Sequence, residues 1–250
     1  MDLRRLLPDG QAVSADEALA GLDFGALAPP DRPYVVANMV ASADGKATVD
    51  GKSGGLGSPA DRAIFHLLRS HADCVLAGAG TFRAERYGRI VRDPELRARR
   101  VAAGLAPDAL AATITRTLEL GDDLPLLADP NSTFVVFTSA DADPPAAAAR
   151  VVVERVPAAE LTARVALQRL RSAHGVRSVL CEGGPSLLGE IVAAGALDEL
   201  FLSVSPLLAG GGTDVRTIVE GAGLPAPVSL ELAWVLESGG GLYLRYRVRR

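Results

Sequence analysis

Two short apolar stretches of this chain each lead straight into a glycine-bearing turn and then a helix-forming segment. Cys74-Val75-Leu76-Ala77 precedes Gly78-Ala79-Gly80-Thr81, and Val179-Leu180-Cys181 precedes Glu182-Gly183-Gly184-Pro185. Short apolar runs of this kind indicate strands buried on both faces, as in a parallel sheet. The amide groups that open the following helices can then hold an anion. Either junction alone is compatible with a structural turn, whereas two in one sheet favour a bound nucleotide.

Strand and helix patterns alternate along most of the remaining chain. Ser58-Pro59-Ala60-Asp61 begins a helix with a good N-cap residue. Two alternating segments, 230–236 and 242–248, flank three glycines and predict an antiparallel hairpin. Further strands are predicted over 34–40, 111–115, 133–138, 151–153 and 200–205, and further helices over 93–103, 158–173 and 185–194, with Thr81 capping a short one. The pattern predicts an α/β domain with a mainly parallel central sheet and a C-terminal antiparallel hairpin.

The first 32 residues differ from the rest in being mixed and rich in turns. They end in Pro29-Pro30-Asp31-Arg32-Pro33, a stiff extended segment. We therefore predict an N-terminal arm over 1–32 and one domain over 33–250. No apolar run approaches the roughly 18 to 20 residues of a membrane helix, and no signal-peptide pattern develops, so a cytoplasmic protein without a membrane partner is expected.

Composition excludes several classes of function. The 30 acidic and 26 basic residues give a formal net charge of −4, which supplies no electrostatic footprint for nucleic acid. The only cysteines, Cys74 and Cys181, form neither a disulfide framework nor a zinc motif. The three histidines lack metal-ligand spacing with one another, so no metal is expected.

Two polar positions at strand ends leave alternatives open. The turn Ser42-Ala43-Asp44-Gly45 is either an ordinary Asp-Gly turn or part of a loop that folds over a cofactor. Glu182 either favours the dipole of the following helix or holds a substrate group.

An ordered set of motifs carries a family resemblance over roughly residues 33 to 250. The set comprises Met39-Val40-Ala41-Ser42-Ala43-Asp44-Gly45, Ser53-Gly54, Leu68-Arg69, Gly78-Ala79-Gly80-Thr81, Glu182-Gly183-Gly184-Pro185, Asp198-Glu199-Leu200 and Ser205-Pro206-Leu207-Leu208-Ala209-Gly210-Gly211. It resembles the riboflavin-biosynthesis pyrimidine reductase family, the reductase domain of the bifunctional deaminase–reductase. The resemblance implies a dihydrofolate-reductase-like three-layer fold, a homodimer, and NADPH-dependent reduction of 5-amino-6-(5-phosphoribosylamino)uracil. It further implies that hydride passes to the sugar carbon through a ring-opened imine. Because the zinc signature of the deaminase is missing, the chain looks like a stand-alone reductase.

The same resemblance implies a set of site residues. Those expected at NADPH are Ala41, Asp44, Gly55, Gly78, Thr81, Glu85, Gly183, Gly184, Pro185, Ser186 and Leu187, with Thr138 and Ser139 assigned to the adenosine 2′-phosphate. Those expected at the substrate are Ser53, Arg69, Arg89 and Arg92, since arginine can bind phosphate with two parallel hydrogen bonds. Glu182 would hydrogen-bond a ribosyl hydroxyl or the amine.

Asn38 departs from the family pattern, which commonly has lysine at this position beside the reacting sugar. A second hypothesis is therefore a dihydrofolate or pterin reductase, because Asp61 and Phe65 look like the Asp-x-x-x-Phe helix that holds pterin in dihydrofolate reductase. For Asp61 the alternative is a residue that serves the helix dipole. A third hypothesis is a catalytically silent nucleotide-binding protein, motivated by Asn38. The first two hypotheses both expect an aromatic heterocycle of pyrimidine or pterin type as the substrate.

Overall fold

One eleven-stranded sheet organises the chain, in the order β2-β1-β10-β11-β9-β3-β8-β4-β5-β6-β7. The computed structural model describes residues 3–49, 51–121, 123–211 and 216–250. The strands are β1 (Leu3–Leu7), β2 (Ala12–Val13), β3 (Tyr34–Ser42), β4 (Cys74–Leu76), β5 (Leu110–Thr115), β6 (Thr133–Thr138), β7 (Arg150–Arg155), β8 (Ser178–Cys181), β9 (Glu199–Ser205), β10 (Leu230–Ser238) and β11 (Gly241–Val248). The helices are α1 (Ala15–Leu19), α2 (Pro59–His71), α3 (Ala79–Ala84), α4 (Pro94–Ala102), α5 (Ala163–His174) and α6 (Pro185–Ala193), and short 3₁₀ turns cover Gly25–Leu27 and Pro125–Ala128.

The sheet is parallel from β9 to β7 and antiparallel from β2 to β9. The predicted hairpin is β10–β11, in which Leu236 pairs with Tyr243. Because parallel strands all point the same way, the carboxyl ends of β3, β8 and β4 meet at one edge of the sheet. The two glycine-bearing junctions lie at that edge.

Helices cover both faces of the parallel part of the sheet. Neighbouring residues of β3 alternate between faces, so Val36 packs with α2 while Val35 packs with α5 and α6. Leu68 of α2 and Leu188 of α6 are both 0% exposed. Full burial of one such side chain contributes about 1.5–3 kcal/mol, so these contacts hold the layers together. The free thiols of Cys74 and Cys181 are buried in adjacent strands.

Helix ends show which local predictions hold. The Ser58 hydroxyl accepts a hydrogen bond from the Asp61 amide at 3.0 Å, as predicted for an N-cap. Thr81 does not cap α3, because that helix begins at Ala79 after Gly78 and lacks a capping side chain. Helix α5 begins at Ala163 rather than near 158, where the hydroxyl of Thr162 accepts a hydrogen bond from the backbone.

Residues 3–32 add to the sheet and its core. Strand β1 pairs antiparallel with β10, and Leu3, Leu19 and Phe24 are each 1% exposed within the main core. The segment therefore packs closely on the domain, and the boundary at residue 33 stays a prediction.

Two adjacent acids at the start of β9 are neutralised by arginines from distant parts of the chain. Arg32 binds Asp198 with two hydrogen bonds of 2.6 and 2.9 Å, and Arg250 contacts the same carboxylate. Arg245 binds Glu199 at 2.7 and 2.8 Å. Since Asp198 and Glu199 are 8% and 0% exposed, both charges need these partners.

Over the described residues, no helix is long and apolar enough to cross a membrane. The expectation of a cytoplasmic location stays a prediction. Within the same residues, no cluster of three or more His, Cys, Asp or Glu side chains could hold a metal ion.

Candidate active site

Two adjoining cavities lie at the sheet edge where β3, β4 and β8 end. The larger has a volume of about 510 Å³ and the smaller about 320 Å³. Both are lined by Met39, Ala47, Ser53, Thr81, Glu85 and Glu182. Because the cavities share these six lining residues, ligands in the two would lie next to each other. The arrangement suits a reaction between two bound molecules.

The larger cavity is built by the two junctions. Gly78, Gly80 and Thr81 line one side of it and Gly183–Leu187 the other. The first amides of helix α6 have no intrahelical acceptor, and no capping side chain accepts from them. Arg216 lines the same cavity and adds a positive charge. The lining therefore presents donors and a cation to an anionic ligand.

Close backbone packing explains the glycines at these junctions. The Gly78 amide donates to the Gly183 carbonyl at 2.9 Å. Gly183 has a φ of +95°, which L side chains rarely adopt. A Cβ at Gly184 would lie 3.3 Å from the Thr81 hydroxyl oxygen. A side chain at Gly183 would strain the backbone, and one at Gly184 would crowd the Thr81 hydroxyl.

A buried ion pair forms the floor of the smaller cavity. The Arg69 guanidinium donates two hydrogen bonds of 2.7 Å to the Glu182 carboxylate and a third of 3.1 Å to the Ile90 carbonyl. The Tyr87 hydroxyl donates to Glu182 Oε2 at 2.7 Å. The Phe65 ring faces the guanidinium at 4.1 Å. Arg69 and Glu182, predicted as separate substrate ligands, thus neutralise each other.

This cluster changes the ionisation of its members. Burial alone lowers the pKa of Arg69, but the charge and hydrogen bonds of Glu182, together with Tyr87, outweigh it and raise that pKa overall. Burial, and then the charge of Glu182, raise the pKa of the Tyr87 hydroxyl well above 10.0. Tyr87 therefore stays a hydrogen-bond donor to the carboxylate at neutral pH.

Hydrogen bonds between Ser53 and Glu85 join the glycine-rich loop after β3 to the end of α3. The Ser53 amide and hydroxyl both donate to Glu85 Oε1, at 3.0 and 2.8 Å. Both side chains were predicted to contact ligands, Ser53 the substrate and Glu85 the cofactor. Their bond holds together the wall between the two cavities.

The outer wall of the smaller cavity comes mainly from α2. Asp61, Phe65 and Arg69 follow one another at four-residue spacing, and Arg62 and His66 form the adjacent row. Asn38 of β3 and Arg92 complete the lining. Burial, and then the charge of Arg69, lower the pKa of His66.

Six predicted residues lie outside the linings of both cavities: Ala41, Asp44, Gly55, Arg89, Thr138 and Ser139. Gly55 lines a neighbouring cavity. The Asp44 carboxylate accepts hydrogen bonds from Ser42 Oγ at 2.5 Å and from the amides of Ala209 and Gly210, so it joins two loops. These bonds, that of Ser42 foremost, lower the pKa of Asp44 to about 2.

Arg89 and Thr138 already have protein partners. Arg89 binds Asp108 with two hydrogen bonds of 2.7 and 2.6 Å. Thr138 is 0% exposed and accepts a hydrogen bond from the amide of Ala140. Their ligand roles stay predictions, and neither has a free group facing either cavity.

Four lining residues with titratable side chains were not predicted from the sequence: Arg62, His66, Tyr87 and Arg216. Helical spacing from Asp61 and Arg69 would have indicated Arg62 and His66. Nothing local indicated Tyr87 or Arg216, because folding alone brings them to the site.

Known proteins resemble the chain along most of its length. Residues 33–244 match the model of the RibD C-terminal domain. The chain is 28% identical over 233 residues to the 2,5-diamino-6-ribosylamino-4(3H)-pyrimidinone 5′-phosphate reductase of Methanothermobacter thermautotrophicus, covering 87% of this chain and 99% of that one. It is also 28% identical over 207 residues to riboflavin biosynthesis protein RibD of Mycobacterium tuberculosis, covering 82% of this chain but 50% of that one.

Solved structures share the fold. A pyrimidine reductase-like protein from Corynebacterium diphtheriae superposes with a TM-score of 0.77 at 21% identity, covering 95% of this chain and 100% of that one. The riboflavin biosynthesis reductase Rib7 of Saccharomyces cerevisiae gives a TM-score of 0.70 at 16% identity, covering 94% and 99%. The predicted three-layer α/β fold with its mainly parallel sheet and terminal hairpin is confirmed.

Proposed function

The chain belongs to the family of the RibD C-terminal domain, as its motifs predicted, and from this premise we propose that it reduces a ribosylaminopyrimidine 5′-phosphate with NADPH. The observation that carries the proposal is the pair of cavities with a shared wall. One cavity offers anion-binding amides for a dinucleotide, and the other a cation-rimmed space for a phosphorylated heterocycle. Two relatives that match most of the chain are named for reduction of such a pyrimidine.

The larger cavity fits a nicotinamide dinucleotide. The uncapped amides of α6 and the guanidinium of Arg216 suit a pyrophosphate. The lack of a Cβ at Gly183 and Gly184 lets the backbone approach it. When bound, the cofactor supplies hydride to the substrate carbon. Met39, which lines both cavities, lies where the two ligands would meet.

The smaller cavity supplies groups for the substrate. Arg62, His66 and Arg92 lie in its lining and are exposed, so they are available to a phosphate. Arg69 contributes differently, because Glu182 and Ile90 occupy much of its fork. It holds the Glu182 carboxylate in place, and the remaining lone pairs of that carboxylate can accept from a ribosyl hydroxyl. Asn38 offers an amide to the sugar where the family has a cation.

Turnover tests the proposal. The protein is mixed with NADPH and 5-amino-6-(5-phosphoribosylamino)uracil or its 2,5-diamino counterpart, and NADPH oxidation is followed by absorbance. Oxidation with either pyrimidine, and a ribitylamino product by mass spectrometry, are expected. NADPH binding without turnover of any heterocycle would instead favour the nucleotide-binding hypothesis. Absence of NADPH binding at about 100 μM, within the usual range of KM values, would refute the reductase.

A dihydropterin remains the second candidate, favoured by one observation. Asp61 and Phe65 line the smaller cavity one helical turn apart, as the pterin hypothesis requires. Dihydrofolate in the same NADPH assay decides it. Turnover of dihydrofolate exceeding that of both pyrimidines would replace the first candidate by this one.

We further propose a homodimer. On one face of the antiparallel strands, Leu7, Leu230 and Leu232 are 47%, 38% and 39% exposed, and register places them with Val235 and Leu244. Burying an uncharged patch of this kind against its own copy suits a two-fold interface. Sedimentation analysis should give twice the chain mass, and Leu232→Asp should shift it to the monomer.

A further inference from the structure

Arg92 is a cation of the smaller cavity whose guanidinium is unused by the protein. It lines that cavity and is exposed. Within the described residues its guanidinium forms no hydrogen bond and no ion pair. The neighbouring Asp93 is the N-cap of α4, where its carboxylate accepts from the Glu95 amide at 2.8 Å. The Arg92 guanidinium lies over Gly88, since a Cβ there would be 3.3 Å from Arg92 Nη2. Arg92 is therefore available to an anion in the cavity.

The backbone that carries Arg92 has no regular secondary structure. Residues 88–93 form neither helix nor strand, so their carbonyl groups need other partners. The carbonyl oxygens of Val91 and Arg92 both accept from Arg97 Nη1, at 3.0 and 2.6 Å. The carbonyl just before them accepts from Arg69 at 3.1 Å. Arg97 therefore holds the main chain of Arg92 itself.

Helix α4 also joins this segment to α2. Arg97 lies in α4 and binds the segment that precedes it. Arg100, one turn further along, is 1% exposed. Its Nη1 donates to the carbonyls of Arg69, Ser70 and Ala72 at 3.0, 3.3 and 2.6 Å. These groups lie at the carboxyl end of α2, where the last turn of a helix leaves carbonyls without intrahelical donors.

Helix α2 carries the other cations at the rim of the cavity. Arg62 and His66 lie in the lining and are exposed. Burial, then the charge of Arg69 and then that of Arg92 lower the pKa of His66, so Arg92 and His66 lie near each other. Both elements that bring cations to the rim are thus tied to α4. The spacing between them depends on the arginines of that helix.

We propose that Arg97 is a positioning residue for the phosphate end of the substrate. It lines neither cavity and acts by holding the main chain of Arg92, so that the Arg92 guanidinium meets the same phosphate as Arg62 and His66. A guanidinium binds phosphate well only when its planar fork is aligned with the oxygens. A main chain free to shift would lose that alignment while the charge stayed. The inference rests on the proposed function, which brings a 5′-phosphate to these cations.

The test compares a phosphorylated pyrimidine with its 5′-hydroxyl counterpart. KM and kcat are measured for wild type, Arg97→Met, Arg92→Met and the double variant. Arg99→Met is the matched control, because it removes the same charge from α4 but contacts Asp16 of α1. Arg97→Lys keeps a cation with three donors, which can bind both carbonyls. Calorimetric binding of ribose 5-phosphate supplies a readout independent of turnover.

We expect Arg92→Met to raise KM for the phosphorylated pyrimidine by about 10- to 100-fold, the range set by a charge-assisted hydrogen bond. Arg97→Met should raise it about tenfold, while kcat, KM for NADPH and KM for the hydroxyl substrate stay within about twofold. Added to Arg92→Met, Arg97→Met should have no further effect, because a positioning residue acts only through its target. Arg97→Lys and Arg99→Met should resemble wild type.

An unchanged KM in Arg97→Met, equal losses with both pyrimidines, or additive losses in the double variant would each overturn the inference and leave the reductase proposal intact. If Arg97→Met does not fold, Arg97→Gln, whose amide can still donate, replaces it in every comparison. If neither pyrimidine is turned over, ribose 5-phosphate decides. Weaker binding in Arg97→Met that depends on Arg92 keeps the positioning role and refutes only the substrate. Unchanged binding, or no binding by wild type, refutes both.

Discussion

Replacing Arg69 with methionine should destabilise the protein strongly, because it leaves the buried charge of Glu182 without a cationic partner. Arg69 is 6% exposed, and its guanidinium makes two hydrogen bonds of 2.7 Å to Glu182. Methionine retains apolar volume beside Phe65 but leaves the carboxylate with the Tyr87 hydroxyl as its remaining donor. Breaking a buried pair in this way costs about 3–5 kcal/mol. A domain is stable by about 5–15 kcal/mol in total, so the variant should be close to marginal.

Urea unfolding of a double-mutant cycle measures this effect. Glu182→Leu leaves the buried Arg69 cation without its partner and should lower the free energy of unfolding by a similar amount. Arg69→Met/Glu182→Leu removes both charges and should cost less than either single change. Arg86→Met breaks an exposed pair with Asp123 and should leave the unfolding midpoint in place. Additivity of the two single changes to within about 0.5 kcal/mol would refute the argument, since independent sites behave that way.

Three further outcomes are expected. Gly189→Ala places a Cβ 1.9 Å from the Glu220 carbonyl oxygen, and this overpacking should lower the free energy of unfolding by about 1–3 kcal/mol. The control Gly223→Ala has open space around it and should not lower the thermal midpoint. Equal midpoints for the two variants would contradict this packing. Burial raises the pKa of Asp61 above 3.8, so its carboxyl favours folding when protonated and that contribution is lost as pH rises through the folded-state pKa. Asp61→Asn should therefore gain stability relative to wild type between pH 4 and 7 in urea unfolding, and a difference independent of pH would exclude this linkage. Arg216→Gln should weaken NADPH about tenfold in a fluorescence titration and flatten its salt dependence, and an unchanged dissociation constant would remove Arg216 from the cofactor site.

Local sequence signals were sufficient wherever one segment decides its own structure. Ser58 followed by proline placed the start of α2 to the residue. The apolar runs before Gly78 and Glu182 located β4 and β8, because strands buried on both faces tolerate little else. The two glycine junctions met at one cavity because parallel strands end at the same edge.

Sequence patterns missed elements where distant residues decide the outcome. No strand was predicted within 1–32, whose pattern is broken by Pro8 and Gly10, yet β1 pairs with β10. The alanines after Pro157 favour helix, yet a turn closed by Glu160 and the hydroxyl cap of Thr162 delay α5.

The site shows the same division between local and distant information. Arg69 and Glu182 were both recognised, but their mutual binding across 113 positions of sequence was not. A single sequence offers no measure of which charges meet in the folded chain. The assignment of Arg69 to the substrate phosphate stays a prediction, and in the structure its guanidinium is bound to Glu182.

The neutralisation of Asp198 and Glu199 bears on the order in which parts of the sheet can form. Arg32 precedes both acids in the sequence and binds Asp198. Glu199 depends on Arg245 of β11, and β1 pairs with β10 across most of the chain. Contacts between such distant segments form slowly, since a long loop must close before they stabilise anything. The sheet therefore stays incomplete until β10 and β11 have docked, and a chain truncated before β11 would leave Glu199 without Arg245 beside an open strand edge.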